Sequence, residues 1–275
     1  MLAGSGIIAG VDTNDSDVSD GVLNKDAAAR RLQTTRLQPD GRLCGIVSHY
    51  WVLRWDIPAG ERHTISTLGR LGCSFVWTES SALLYGVQSA RFSYGLSGTG
   101  RITGAKLTPA GIRAFFETPA HHFTDRAVDL VPLLDPAPTL GPELRAADDG
   151  RVSGILDALL MGQKLRSDPR IRVANDAVAA IAAQPRVTQV SGVAGVLGIG
   201  VRSLQKLMRE HVGANAKWVI ERLRVIEAVR ALETDRHVNH ALLAQRLGYY
   251  DQAHLTTAFR AAVGTAPHSY RRGLG

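Results

Sequence analysis

The spacing of apolar residues changes character twice along the chain, dividing it into an arm, a β-rich region and a helical region. Residues 1–35 are polar, Gly- and Asp-rich at their start, and hold no sustained apolar period. That pattern predicts a disordered arm with one helical turn near residues 25–32. From residue 45 to about 109 come the runs IVSHYWVLRW, HTISTL, CSFVWT, ALLYGVQSARFSY and RITGAKLTP, separated by Gly, Pro and polar clusters. Short, punctuated β-branched and aromatic runs predict a sandwich or barrel. Alternation is weak between Ile46 and Leu53, so the first strand is expected to be covered on both faces. Residues 111–170 look helical, with Ile112, Phe115 and Phe116 on one stripe and Val152, Ile155, Leu156, Leu159 and Leu160 on another. The Pro-rich run VPLLDPAPTLGPEL between the stripes is expected to interrupt helices.

From residue 171 onward every segment has a helical period. Val173, Val178, Ala180 and Ile181 mark a first helix, halted at Gln184 and Pro185. The stretches VSGVAGVLGIGVRSLQKLMREHVG (190–213) and ALLAQRLGYYDQAHLTTAFRAAVG (241–264) then repeat one layout: a short helix, a Gly-centred turn, and a second helix ending in Val-Gly. Between them, residues 216–233 place Val219, Leu223, Ile226 and Val229 on one helical face. At about 1.5 Å per residue this linking helix spans roughly 27 Å, close to one turn of B-DNA. The fold class is α+β: a β-rich domain with flanking helices over 36–165, then an all-α domain over 171–275 made of two helix-turn-helix units joined by a linking helix.

A helix-turn-helix needs a small residue where its helices nearly touch, a Gly for the tight turn, and apolar residues that fix the second helix. Val193, Ala194, Leu197, Gly198, Leu204 and Leu207 or Met208 meet those needs once; Leu243, Ala244, Leu247, Gly248, Leu255, Ala258 and Phe259 meet them again. The opposite faces carry Val201, Arg202, Gln205, Lys206 and Arg209 in the first unit and Asp251, Gln252, His254, Thr257 and Arg260 in the second. Arg and Lys can donate to guanine in a major groove, and Gln pairs with adenine through a donor and an acceptor. Lys217, Arg222 and Arg224 around the linking helix, with Arg209 and Arg260, are candidate phosphate contacts.

Charge sharpens this picture. The net charge is +7, and residues 171–275 hold 14 Lys and Arg against 7 Asp and Glu, so the first 170 residues are balanced. A basic domain beside a neutral one suits a polyanion-binding module attached to a sensing or dimerising one. No run reaches the ~18 apolar residues of a membrane-spanning helix. No basic residue precedes Lys25, so no secretory leader is expected and a cytoplasmic location follows. Cys44 and Cys73 read as apolar residues in a reducing compartment rather than a disulfide.

The runs GIGVRSLQKLMREHVGANAKWVIERLRVIEA and LAQRLGYYDQAHLTTAFRAAVGTAPHSYRR resemble the DNA-binding domain of AraC/XylS-type regulators, over roughly residues 171–272. Ala244, Leu247, Gly248, Tyr249, Gln252, His254, Leu255, Phe259, Arg260, Gly264, Pro267 and Tyr270 stand where that family's pattern expects them. The resemblance implies structural roles for Gly264, Pro267 and Tyr270. It implies base contacts from Arg202, Gln205 and Lys206 and from Asp251, Gln252, His254 and Thr257, and activation through RNA polymerase. Two positions depart from the pattern. Ile199-Gly200 replaces a polar helix cap, weakening the start of the first recognition helix by ~0.5–1 kcal/mol. Thr257 replaces a longer basic residue, which shifts the second unit toward phosphate contact. The runs YWVLRWDIPAGERHTISTL and YGVQSARFSYGLSGTGRITGAKLTPAGIRAFF resemble a cupin-like domain found ahead of this module, which implies small-molecule sensing, homodimer formation or both.

Other chemistry is weaker. Gly98, Gly100 and Gly104 have the wrong spacing for a dinucleotide loop and are expected in turns between strands. Gly95-Leu96-Ser97-Gly98-Thr99 lacks the final Gly of a hydrolase elbow. His49, Glu61, His63, His121 and His122 form no dense metal motif, so neither metal nor cofactor is expected. Among the aromatics, Tyr50, Trp77, Tyr85 and Phe92 are candidates for an effector pocket. The alternative function is an enzyme or metabolite-binding protein whose helical bundle is an interaction scaffold.

Overall fold

A computed structural model describes residues 32–69, 71–134, 140–184, 186–235 and 237–273. Eight strands lie among them: β1 (Leu32–Leu37), β2 (Val47–Asp56), β3 (His63–Thr67), β4 (Ser74–Trp77), β5 (Ala82–Tyr85), β6 (Phe92–Leu96), β7 (Thr99–Leu107) and β8 (Ala127–Asp129). Six form an antiparallel sheet in the order β1-β2-β7-β4-β5-β8, and β3 pairs with β6 in a ribbon. Leu32, Ile57 and Leu96 join ribbon and sheet through a small apolar cluster.

Every residue of the inner strand β4 is buried. Its second face is covered by α2 (Leu140–Ala146) and α3 (Asp149–Gly162), whose Leu144, Val152, Leu156 and Leu160 share one core with Phe75, Trp77 and Leu84. Arg101 of β7 holds this helical layer down by donating Nη1–H to the carbonyl of Ala147 at 2.6 Å.

Several expectations change here. The arm expected over 1–35 gives way to β1 at Leu32; the rest of it, including nearly all of the helical turn expected over 25–32, lies outside the described residues. The helical reading of 111–170 missed β8, and α1 (Ile112–Phe115) is a single turn with Phe116 already extended. Of the glycines assigned to turns, Gly98 turns with φ +58, whereas Gly100 and Gly104 lie inside β7. They pair across the strands with Trp55 and Trp51, and those indoles lie over them: an added Cβ would come within 2.1 Å and 2.3 Å of the rings. These glycines exist to let tryptophan rings close on the sheet.

The helical region comprises α4 (Pro169–Ala183), α5 (Val190–Val196), α6 (Val201–Leu207) running on through one π-turn (Met208–Val212), α7 (Ala216–Thr234), α8 (His240–Arg246), α9 (Gln252–Val263) and α10 (Pro267–Arg272). It does not hang from a linker. Leu71, Ala110 and Ala114 of the β-rich half are buried with the first helix-turn-helix, and Leu68 is buried with the second. Asn175 of α4 accepts from the Ala110 amide and donates to the Gly45 carbonyl, each at 2.9 Å. Thr124 donates to the carbonyl of Gly213 at 2.6 Å.

Candidate nucleic-acid interface

The two units are built by the same backbone bonds fifty positions apart. Ile199 donates to the Ala194 carbonyl at 3.0 Å, and Tyr249 to the Ala244 carbonyl at 2.9 Å. Gly198 and Gly248 take the left-handed conformation, at φ +65 and +70, which a residue with a Cβ adopts at a cost. Val193, Ala194, Leu204 and Leu207 close the first unit, and Leu243, Ala244, Leu247, Leu255 and Phe259 the second, all buried. The caps differ: the missing polar cap at Gly200 was expected, whereas Asp251, expected to contact bases, serves as a cap. Asp251 accepts from the His254 amide at 2.7 Å to start α9, whereas Gly200 starts α6 without a side-chain cap.

The outward faces match the expectation from periodicity. Arg202, Gln205, Lys206 and Arg209 on α6 and its π-turn are exposed, as are Asp251, Gln252, His254, Thr257 and Arg260 in the second unit. Not all are equally available. The Asp251 carboxylate is committed to its cap, and His254 packs edge-on against Tyr249 with Nδ1 3.4 Å from the Tyr250 amide. Thr257 returns its hydroxyl to the Ala253 carbonyl at 3.0 Å. Lys206 lies 4.0 Å from Glu210, and Arg209 lies 3.5 Å from His121. Exposed Lys217 stands 3.8 Å from Glu221.

Arg222 and Arg224 overturn their reading as phosphate contacts, because both are buried. Arg222 sits over the Trp218 ring and donates to the Ser89 carbonyl at 2.5 Å. Arg224 donates Nε–H to the Leu247 carbonyl at 2.6 Å. Burial pulls both guanidinium pKa values below the usual arginine range. The linking helix is packed on more than one side, so its cationic positions flanking Leu223 face protein. A helical stripe marks one buried face and cannot reveal a second created by a neighbouring domain.

The four aromatics grouped as an effector pocket do not share one. Tyr50 and Trp77 are enclosed in the main core, and Tyr50 donates its hydroxyl to Asp157 at 2.7 Å. Tyr85 and Phe92 meet edge-on, with centroids 6.0 Å apart, and line a cavity elsewhere. The sequence reading passed over Tyr250, which is 93% exposed beside the second turn. Its signal was a second aromatic directly after the one that packs inward. Among the described residues no group of three or more His, Cys, Asp and Glu is placed to hold a metal, and no helix is long and apolar enough to cross a membrane.

Residues 35–129 match the family described as Domain of unknown function (DUF6597), and residues 193–273 match that described as Helix-turn-helix domain. Over 83 residues the chain is 31% identical to the HTH-type transcriptional activator RhaS of Enterobacter sp. (strain 638), covering 30% of this chain and 29% of that protein. The chain thus spans under a third of the length of the curated relatives it matches. Among solved structures, ToxT from Vibrio cholerae is similar over 88% of this chain and 98% of its own, at 12% identity and a TM-score of 0.41. The DNA-binding domain of AdpA, solved in complex with a target DNA, covers 39% of this chain and 93% of its own, at 26% identity and a TM-score of 0.34.

Proposed function

We propose that this chain, whose residues 193–273 form an AraC-type helix-turn-helix domain behind a cupin-like one, is a sequence-specific transcription regulator of double-stranded DNA. The observation that carries the reading is the duplicated turn: two identically bonded units, each with an exposed polar face on its second helix. In this reading α6 and α9 enter successive major-groove segments, and α7 sets their separation. Arg202, Gln205, Lys206 and Gln252 read bases, with Thr257 beside them. Asp251 and His254 shape the start of α9 more than they read. Arg209, Lys217 and Arg260 neutralise phosphates. The protein acts in the cytoplasm as an activator through RNA polymerase, without catalysis of its own, and its β-rich domain senses a small molecule or forms a homodimer.

Fluorescence anisotropy against DNA from upstream of its own gene tests the reading. Selective binding that weakens steeply as salt rises is expected of a groove reader. A scaffold bundle would bind neither selectively nor with that salt dependence.

A further inference from the structure

We propose, on the regulator reading above, that the Tyr250 hydroxyl donates to a phosphate of the duplex at the rim of the major groove, as the uncharged phosphate contact of the second helix-turn-helix unit. The juxtaposition behind it is a bare aromatic side chain on a pinned backbone, one residue ahead of the cap of α9.

The two turns differ in length by one residue, and Tyr250 is the difference. Gly198 and Gly248 open them with matching left-handed φ, and the bonds from Ile199 to Ala194 and from Tyr249 to Ala244 repeat at fifty positions. Beyond that point the repeat is fifty-one: cap Gly200 answers to Asp251, buried Leu204 to Leu255, and left-handed Gly213 to Gly264. Tyr249 is buried with the apolar cluster of the second unit, and the added residue faces out. At 93% it is the most exposed large apolar side chain among the described residues, ahead of Leu242 at 63%.

The backbone of Tyr250 is held on both sides while its side chain is left alone. Tyr249 before it packs against His254, and Asp251 after it caps α9. The Tyr250 amide itself donates to His254 Nδ1 at 3.4 Å. Among the described residues the ring and hydroxyl of Tyr250 meet no hydrogen-bond partner and no second ring. Scattered apolar residues on a surface need no explanation. A tyrosine whose neighbours fix its place is different: it has few rotatable bonds, so its hydroxyl loses little freedom on meeting an acceptor.

Position and chemistry select a phosphate. The N-terminal residues of a recognition helix face base edges, so a side chain one step ahead of the cap stands where the sugar-phosphate strand borders the groove. A phosphate oxygen only accepts, and a phenol can donate. The rest of the second unit is poorly supplied with such donors. Between Tyr249 and Phe259 there is no Lys or Arg, whereas α6 and its π-turn carry Arg202, Lys206 and Arg209. Thr256 and Thr257 return their hydroxyl protons to the carbonyls of Gln252 and Ala253, at 2.9 Å and 3.0 Å. Asp251 is turned back onto the His254 amide by its cap, which leaves the Tyr250 hydroxyl as the donor projecting outward.

Fluorescence anisotropy of the full chain on its upstream DNA and on a random duplex reads the contact. Tyr250→Phe, which keeps the ring and removes the hydroxyl, should bind both duplexes about tenfold more weakly, the scale of a hydrogen bond to a charged acceptor. The dependence of affinity on salt should keep its slope, because a neutral donor displaces no condensed cation. The thermal midpoint should match the parent's, because the side chain supports nothing in the fold. Tyr250→Ala should bind no better than Tyr250→Phe. Unchanged affinity in Tyr250→Phe overturns the contact whatever Tyr250→Ala does, and a loss confined to the upstream DNA overturns the phosphate as its partner. A parent that binds its upstream DNA no better than the random duplex counts against the regulator reading, whereas parent and Tyr250→Phe compared on random DNA still decide the contact. A parent that binds no DNA at all removes both.

Discussion

The guanidinium of Arg224 lies 3.8 Å from the ring centroid of Tyr249, joining the linking helix to the turn of the second helix-turn-helix. His254 meets the same ring edge-on at 5.2 Å, so the ring is gripped by one residue from α7 and one from α9. Replacing Arg224 by Met would strand the Leu247 carbonyl and remove a buried cation from an aromatic face, at a cost of about 2–4 kcal/mol. Urea denaturation measures this as a lower midpoint with unchanged slope. The salt dependence of DNA binding should keep its slope, and a fall of about one unit would restore Arg224 as a phosphate contact.

Base reading predicts a different signature. Arg202→Ala and Gln252→Ala should each lose about 1–3 kcal/mol on the cognate site and less on random DNA, read by anisotropy on both duplexes. Equal losses on the two would remove these residues from the reading surface.

Phosphate contacts lose affinity evenly across sequences. Lys217→Ala and Arg260→Ala should weaken binding on cognate and random DNA alike and flatten the dependence on salt by about one unit each. Lys217 must first leave exposed Glu221, a pair that contributes little.

In the β-rich half, Gly104→Val pits two effects against each other. Strand propensity favours Val by up to about 1 kcal/mol. The new Cβ would lie 2.3 Å from the Trp51 indole, which must swing away, and crowding of this kind costs about 1–3 kcal/mol. A net loss of stability is expected, with a shifted Trp51 fluorescence maximum; an unchanged spectrum and midpoint would show the ring free to move.

Asp168 sets a pH dependence. Burial alone would raise its pKa, but hydrogen bonds from the Arg170 side chain and amide and from His211 hold it far below the usual carboxylate range. A depressed folded-state pKa contributes stability that is present above the unfolded value of about 3.9 and lost as the pH falls below it. Asp168→Asn should therefore be less stable than the parent at neutral pH and lose less on acidification below pH 4. Parallel acid limbs in thermal melts of the two proteins would contradict this.

The parts legible in the sequence were those governed by local spacing. Leu197-Gly198 and Leu247-Gly248 announce their turns because glycine takes the left-handed turn conformation at least cost wherever it occurs in a fold. Leu204, Leu255 and Phe259 announce their buried faces because a helix repeats every 3.6 residues. Arg222, Arg224 and Tyr50 were misread because local pattern says nothing about a second surface arriving from elsewhere. Gly100 and Gly104 looked like turns because a glycine required by a tryptophan on the neighbouring strand carries the same letter as one required by φ.

The sequence alone determined the helix-turn-helix repeat, its exposed polar faces and the concentration of positive charge in its last third, since each depends on residues close in the chain. Only the tertiary structure decided that Leu68, Leu71 and Arg91 of the β-rich half reach the helix-turn-helix half, and that two of its arginines face inward. Contacts between residues up to 172 positions apart are chosen by which surfaces pack to exclude water and satisfy each other's hydrogen bonds, a choice the whole chain makes at once.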